Sequence, residues 1–400
     1  DGAASYDPDP VDALSYAWTQ TGGPAVELQG DDTATARFDC LQAGLYVFEL
    51  VVSDGMQQSP PASVEIITVD LTVTHQELDL QNIGTYAHYG DVSRGKVVYG
   101  VGNACDVTWS GTYRNLDTGY VRDLSENMIQ PKIDGEIVVW FEYGDGWGDP
   151  WYHEPSNCSV IAKNVQTSDR TVLREWSWSD SYGHPVVSGN KVIWIEHHDL
   201  DPRPTGSSEA NNWWNTPYSI CGADITDFDN PVFFTVDENV GRHDPYPCQS
   251  YAEDFDDLVD ISGDVVVWEG NGDIFGADIS DLENIRIFLV CGASGRQYDP
   301  AISGDWIVWT DERNDGGDIY GADISDRNNI KVVEMVKQNG TQCQAAIDGA
   351  LLAYVDGALN YGQIQFGWLT KCHGVIRVPL NDNYYGTAPA VDGKDIIWQS

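Results

Sequence analysis

Methionine is scarce in this 400-residue chain, with three copies, and basic residues are few: 21 Lys and Arg stand against 63 Asp and Glu. The formal charge of −42 argues against nucleic acid and anionic membranes as partners, because such a surface repels both. No run of about 18 apolar residues occurs, so no membrane-spanning helix is expected. Long stretches of helical periodicity are missing as well. The eight cysteines include no C-x-x-C, which leaves a zinc ribbon, a thioredoxin-type centre and a c-type haem site without support. A Ser-His-Asp hydrolase would need a G-x-S-x-G elbow, and none is present.

Aromatics and short β-branched runs are plentiful, with 15 Trp and 20 Tyr. The clearest unit is Asp299-Pro300-Ala301-Ile302-Ser303-Gly304-Asp305-Trp306-Ile307-Val308-Trp309. A turn at Ser303-Gly304-Asp305 separates two apolar runs, and the second ends in an aromatic, as suits a buried strand. Asp318–Ile324 and Ile330–Glu334 read as a third and fourth strand. Anchored on the turn glycine, the unit recurs at Gly95, Gly135, Gly189, Gly263, Gly304, Gly349 and Gly393, with spacings of 40, 54, 74, 41, 45 and 44. A period near 40–45 residues with four short strands predicts β-propeller blades, here seven, two of them lengthened by insertions. The expected fold is therefore all-β. The third-strand run repeats too, as Cys221-Gly222-Ala223-Asp224-Ile225, Phe275-Gly276-Ala277-Asp278-Ile279 and Tyr320-Gly321-Ala322-Asp323-Ile324.

These repeats resemble the TolB-like or WD40-like propellers of secreted and cell-surface bacterial proteins, over residues 71–400. The last copy, around Gly393, offers only opening strands. Leu71–Leu80 is expected to supply an outer strand, so that both ends of the unit share one blade. Residues 1–70 read differently. Asp1-Gly2, Ser5, Asp7-Pro8-Asp9, Tyr16-Ala17-Trp18, and Gly44 through Asp54-Gly55 resemble a polycystic-kidney-disease (PKD) type immunoglobulin-like sandwich. That resemblance implies a spacer or adhesive module outside cells. Its usual first strand has no counterpart here; either the mature protein is longer, or the unpaired edge takes a strand from another copy or another extracellular protein. In an exported protein, disulfides are the default. Cys291 and Cys343 flank adjacent blades and are a candidate pair; Cys40 either bridges to the propeller or stays free.

Candidate sites fall on the insertions and hairpin tips. Asn211-Asn212-Trp213-Trp214 can stack and hydrogen-bond a glycan, or the two tryptophans cap the end of a blade. Asp145 and Asp149, and Asp311, Asp315 and Asp318, sit in glycine-rich tips where oxygen ligands can gather around calcium; both stretches also make good hairpin turns without an ion. Propeller-type polysaccharide lyases use His, Tyr and Arg in a central cleft, which would single out Tyr182, His184, Arg242 and His243. No motif fixes those four together. The expectation is therefore a secreted or cell-surface structural and binding protein of an adhesive or matrix assembly, with no catalytic signature in the sequence. A polysaccharide lyase or hydrolase working in the central cleft is the alternative.

Overall fold

The computed structural model describes residues 2–3, 5–6, 13–38, 44–68, 85–103, 106–143, 158–176, 185–197, 218–240, 258–314, 316–357, 362–370, 374–377, 385–393 and 395–399. These form antiparallel sheets and, among the described residues, no helix. The chain divides into two compact units, Asp1–Asp79 and Leu80–Ser400.

The first unit holds one three-stranded sheet, β1 (Ser15–Gly22), β2 (Gly44–Ser53) and β3 (Ala62–Thr68), in the order β1-β2-β3. Alternation along β2 buries Tyr46, Phe48 and Leu50 on one face, and Phe38 packs its ring against Tyr46 and Phe48 at 5.2 and 4.9 Å.

The second unit is a succession of four-stranded meanders. The first joins β4 (Thr85–Ser93), β5 (Lys96–Asn103), β6 (Asp106–Asn115) and β7 (Val121–Ser125). The next joins β8 (Met128–Asp134), β9 (Ile137–Tyr143), β10 (Cys158–Asn164) and β11 (Arg170–Trp176). Then come β12 (Val186–Ser188), β13 (Lys191–His197), β14 (Tyr218–Asp224) and β15 (Val232–Val240). They are followed by β16 (Val259–Ser262), β17 (Val265–Gly270), β18 (Asp273–Asp278) and β19 (Arg286–Cys291). The fifth meander is β20 (Gln297–Ser303), β21 (Trp306–Asp311), β22 (Asp318–Asp323) and β23 (Lys331–Val336). The last sheet has six strands: β24 (Gln342–Asp348), β25 (Leu351–Asp356), β26 (Gly362–Thr370), β27 (Gly374–Arg377), β28 (Tyr385–Asp392) and β29 (Asp395–Gln399). The hairpin β28–β29 thus does not stand apart as its own sheet. It joins β26 through the pairs Gly362–Gly386 and Gln363–Tyr385, at the end of β26 away from its Gly367–Thr370 pairing with β27. The outer strand expected from Leu71–Leu80 lies outside the described residues.

Each second strand carries the aromatic that the repeat predicts, and six of the seven are buried: Tyr99, Trp140, Trp194, Trp268, Trp309 and Tyr354. They fill the layers between neighbouring sheets. Trp268, for example, packs among Ile193, Ile195, Ile220, Val259 and Ile261 from the preceding sheet and its own. A fully buried aromatic of this size withdraws on the order of 200 Å² from water, which makes these rings the main adhesive between sheets.

The third strand needs a glycine where the fourth strand lays a large side chain across it. A Cβ on Gly276 would sit 2.6 Å from Phe288 Cζ, and one on Gly222 would sit 2.5 Å from Phe234 Cζ. This is why Gly-Ala-Asp recurs.

The described cysteines correct the disulfide expectation. Cys221 and Cys291 are free thiols, so Cys291 and Cys343 do not join adjacent sheets. Both are buried inside separate inter-sheet cores, where each packs as a small apolar side chain. Cys40 lies outside the described residues.

Candidate functional site

The first strand of every meander, β4, β8, β12, β16, β20 and β24, together with β28, lines a single cavity of about 400 Å³. The repeat places the same residues at its wall. Each inner strand ends in Ser or Asp just before its turn, and that side chain accepts a hydrogen bond from the backbone N–H of the next turn. Ser93 Oγ accepts from Gly135 at 3.0 Å, Asp134 from Gly189 at 2.6 Å, and Ser188 from Gly263 at 2.9 Å. Ser262 accepts from Gly304 at 2.9 Å, Ser303 from Gly349 at 2.9 Å, and Asp348 from Gly393 at 2.6 Å. Asp392 then accepts from Arg94, which returns the series to its start. A short polar acceptor is required here because a turn N–H packed against a neighbouring sheet must be satisfied. The turn glycines have φ near +57°, as at Gly304, a conformation other residues adopt at a cost.

A second tier lies two residues earlier. Asp91 Oδ2 accepts from Ile133 N at 2.7 Å, and Asp260 Oδ2 from Ile302 N at 2.8 Å. Lys132 shares that tier, whereas Ala301, Ala346 and Ala390 occupy it on three successive inner strands. One arc of the wall is therefore charged and the other is small and apolar.

Gln130, Asp299 and Gln344 form a third tier. Each sits inside a β-bulge, between Ile129 and Lys132, Tyr298 and Ala301, and Cys343 and Ala346. Each has a left-handed backbone, with φ of 49°, 51° and 51°. All three line the cavity. The reading of the sequence did not single out these residues. The signal was available as a fixed spacing, five residues ahead of the turn glycine, and in the sequence His184 stands at that same spacing from Gly189.

Of the residues predicted from sequence, only Asp311 and Asp318 are described. Asn211, Asn212, Trp213, Trp214, Tyr182, His184, Arg242, His243, Asp145, Asp149 and Asp315 all lie outside the described residues. Asp311 is fully buried and its carboxylate is taken up by protein donors. Oδ1 accepts from Arg313 Nε at 2.8 Å and Arg313 N at 3.0 Å, and Oδ2 accepts from Trp309 Nε1 at 2.9 Å and Arg313 Nη2 at 2.5 Å. Arg313 lies over the Tyr320 ring at 4.1 Å, and the buried Asp318 accepts from Asn314. The tip is thus organised around a guanidinium. Similar pairs recur in other sheets as Arg170–Glu142 and Arg296–Glu269. Among the described residues no three His, Cys, Asp or Glu side chains come together to hold a metal ion.

Nor does a described cysteine offer a nucleophile. Burial, with the charge of Glu196 adding to it, pushes the Cys221 thiol up to about 12, and burial raises Cys291 too.

Comparison with known proteins agrees with this architecture. A family model of a PKD domain matches residues 1–69. The first unit is PKD-like. No curated protein sequence matches the chain. Among solved structures, one from a study of two prolyl endopeptidases aligns at a TM-score of 0.50 and 12% identity, over 97% of this chain and 49% of that one. This chain therefore corresponds to about half of that protein. The propeller domain of the Trilobed protease from Pyrococcus furiosus aligns at 0.45 and 10%, over 85% and 97%. A putative TolB from Agrobacterium tumefaciens aligns at 0.37 and 12%, over 62% and 79%. At such identities the likeness shows a propeller-like fold alone.

The comparisons also correct the functional expectation. The expected structural protein of an adhesive or matrix assembly finds no support among them, and the solved structures sharing the fold are mostly of enzymes. They include prolyl endopeptidases, an acylaminoacyl peptidase, an oligogalacturonate lyase and virginiamycin B lyase. The features that suggested assembly, modules resembling extracellular families and open sheet edges, are equally compatible with a catalytic protein.

Proposed function

We propose that the chain is a propeller-type enzyme, a lyase or hydrolase, acting on a glycan bound in the cavity between the inner strands. The observation that carries this reading is the convergence of seven inner strands on one polar cavity. Six carboxylates line it, Asp91, Asp134, Asp260, Asp299, Asp348 and Asp392, against the two cations Arg94 and Lys132. That balance favours a neutral, hydroxyl-rich sugar over a polyanion, and so favours hydrolysis over the elimination that a lyase carries out on a uronic acid. Five of the six acids accept backbone hydrogen bonds that hold neighbouring inner strands together. Asp299 differs in place: it is 6% exposed and sits in a strained bulge at the cavity wall. Proton transfer is assigned to this carboxylate.

The reading includes a ring of seven blades, one for each turn glycine. Its support is the contact of β28 and β29 with β4 and the hydrogen bond from Arg94 to Asp392. It also includes a location outside the cell, on the strength of the PKD-like unit.

The test is release of soluble sugar from a panel of neutral and acidic polysaccharides. Turnover of a neutral substrate that falls roughly a hundredfold in Asp299→Asn, at an unchanged melting temperature, is the expected result. Absence of release from every substrate, or an Asp299→Asn variant as active as the parent, overturns the proposal.

A further inference from the structure

Six non-glycine residues in the described chain have a left-handed backbone, and four of them line this one cavity: Arg94, Gln130, Asp299 and Gln344. Arg94 has a local reason, since it stands at the first of the two turn positions between Ser93 and Lys96, where the other turns place glycine. The other three have none in the turn. They occupy one register, five residues ahead of Gly135, Gly304 and Gly349, inside bulges that set two residues against one. Glycine would meet the same backbone requirement more cheaply, and glutamine is a poor choice for it. Strain kept at one register, in side chains able to donate and accept, points to something that the side chains do.

We infer that Gln130, Asp299 and Gln344 are the specificity-determining shelf of the cavity, which grips the hydroxyl or acetamido groups of a sugar ring. The inference rests on the glycan reading above and names the residues that would select the sugar. Each glutamine amide offers two N–H donors and a carbonyl acceptor, and Asp299 accepts; vicinal hydroxyls and acetamido groups need that mixture. Two of the three are nearly sealed from solvent, Gln130 at 8% and Asp299 at 6% exposed. One tier away, Ala301, Ala346 and Ala390 leave a shallow apolar surface of the kind that the C–H face of a pyranose covers. A ligand with one apolar face and a rim of hydroxyls fits both tiers. A polyanion would face Asp91, Asp260 and Asp299.

The decisive variants are Gln130→Gly and Gln344→Gly. Glycine relieves the backbone while deleting the side chain, so a role in binding and a role in folding move in opposite directions. Calorimetric titration of the full chain uses three neutral probes: tetrasaccharides of N-acetylglucosamine, mannose and xylose. The expected result is that the parent binds at least one probe, and that each glycine variant loses roughly tenfold or more in affinity, with a melting temperature unchanged or raised. Gln130→Ala, which keeps the strain, should lose affinity and also melt lower. Unchanged affinity in both glycine variants, or no binding of any probe by the parent, overturns the shelf. Binding is read without turnover, so the two proposals fail separately. A shelf that binds in a protein that releases no sugar sinks only the enzyme. Release that is indifferent to both glycine variants sinks only the shelf.

Discussion

The carboxylate of Asp392 accepts a hydrogen bond from the backbone N–H of Arg94, 298 residues earlier in the chain. It is the counterpart, between the last hairpin and the first meander, of the Ser and Asp acceptors elsewhere around the cavity. Around it, Ile397 reaches toward Gly90, where an added Cβ would meet Ile397 Cδ1 at 3.1 Å. Replacing Asp392 with alanine removes the acceptor and should cost about 1 kcal/mol, with water able to reach the partly exposed site. Asp392→Asn keeps an oxygen and should cost less. Urea unfolding of the three proteins measures the difference.

The same residue should leave a mark on the pH dependence of stability. Burial, then the charges of Asp348 and Asp395, hold the Asp392 carboxyl above the ordinary carboxylate range. A raised folded value means that the native state binds the proton more tightly than the unfolded chain. The contribution is therefore fully present below the ordinary value of 3.8 and is lost as pH rises through the folded value. In Asp392→Asn that gain on acidification should vanish, so the stability difference between parent and variant should shift in favour of the parent as pH falls toward 3.8. A difference that stays flat over this range would show that the ionised form is not penalised.

Asp311 is a stronger structural anchor. Its side chain is fully buried, and Arg313, 23% exposed, is held mainly by it. Hydrogen bonds from Arg313 to Asp311 are the largest of the influences that raise the guanidinium above its usual value. Asp311→Ala would leave a half-buried cation and the Trp309 indole N–H without their acceptor, and should destabilise by about 3–5 kcal/mol. Thermal and urea unfolding should both record it. A loss below about 1 kcal/mol would mean that Arg313 finds water readily.

Gly276 tests the packing rule of the third strand. Alanine there would drive a methyl into the Phe288 ring, and the overpacking should cost about 1–3 kcal/mol. A second change, Phe288→Leu, should recover part of the loss, which a double-mutant cycle reads directly.

The thiols make a chemical prediction. Cys221 and Cys291 should resist alkylation in the native protein at neutral pH and react after unfolding, as followed by peptide mass mapping. Cys221, with its thiol pushed up to about 12, should be protonated and slow even if reagent reaches it.

Much of the architecture is legible in the sequence because its signals are periodic. The turn glycines and the aromatic five residues later mark Trp140, Trp268 and Trp309, and these are the largest fully buried side chains. The β1, β2 and β3 strands alternate plainly enough to be read at Tyr16–Trp18, Tyr46–Val52 and Val64–Ile66. Other features are set by distance rather than pattern. Cys291 and Cys343 look alike in sequence whether paired or apart, and only their separate cores decide it. Asp311 reads as an oxygen ligand at a hairpin tip, and in the fold its carboxylate accepts from the arginine two residues on. Gln130, Asp299 and Gln344 escape a reading of the sequence because a bulge is a fact of pairing register, invisible until β8, β20 and β24 are laid against their neighbours.

Every hairpin around the cavity brings the acceptor that its successor's turn requires, using atoms from the two adjoining units only. A unit of this kind is interchangeable: it can be copied, lost or exchanged as long as Ser or Asp precedes the glycine. Variation in length, such as the 74 residues between Gly189 and Gly263 against 41 for the next interval, then leaves this fastening untouched. New recognition loops can be tried on such a repeat without rebuilding the inner strands behind it.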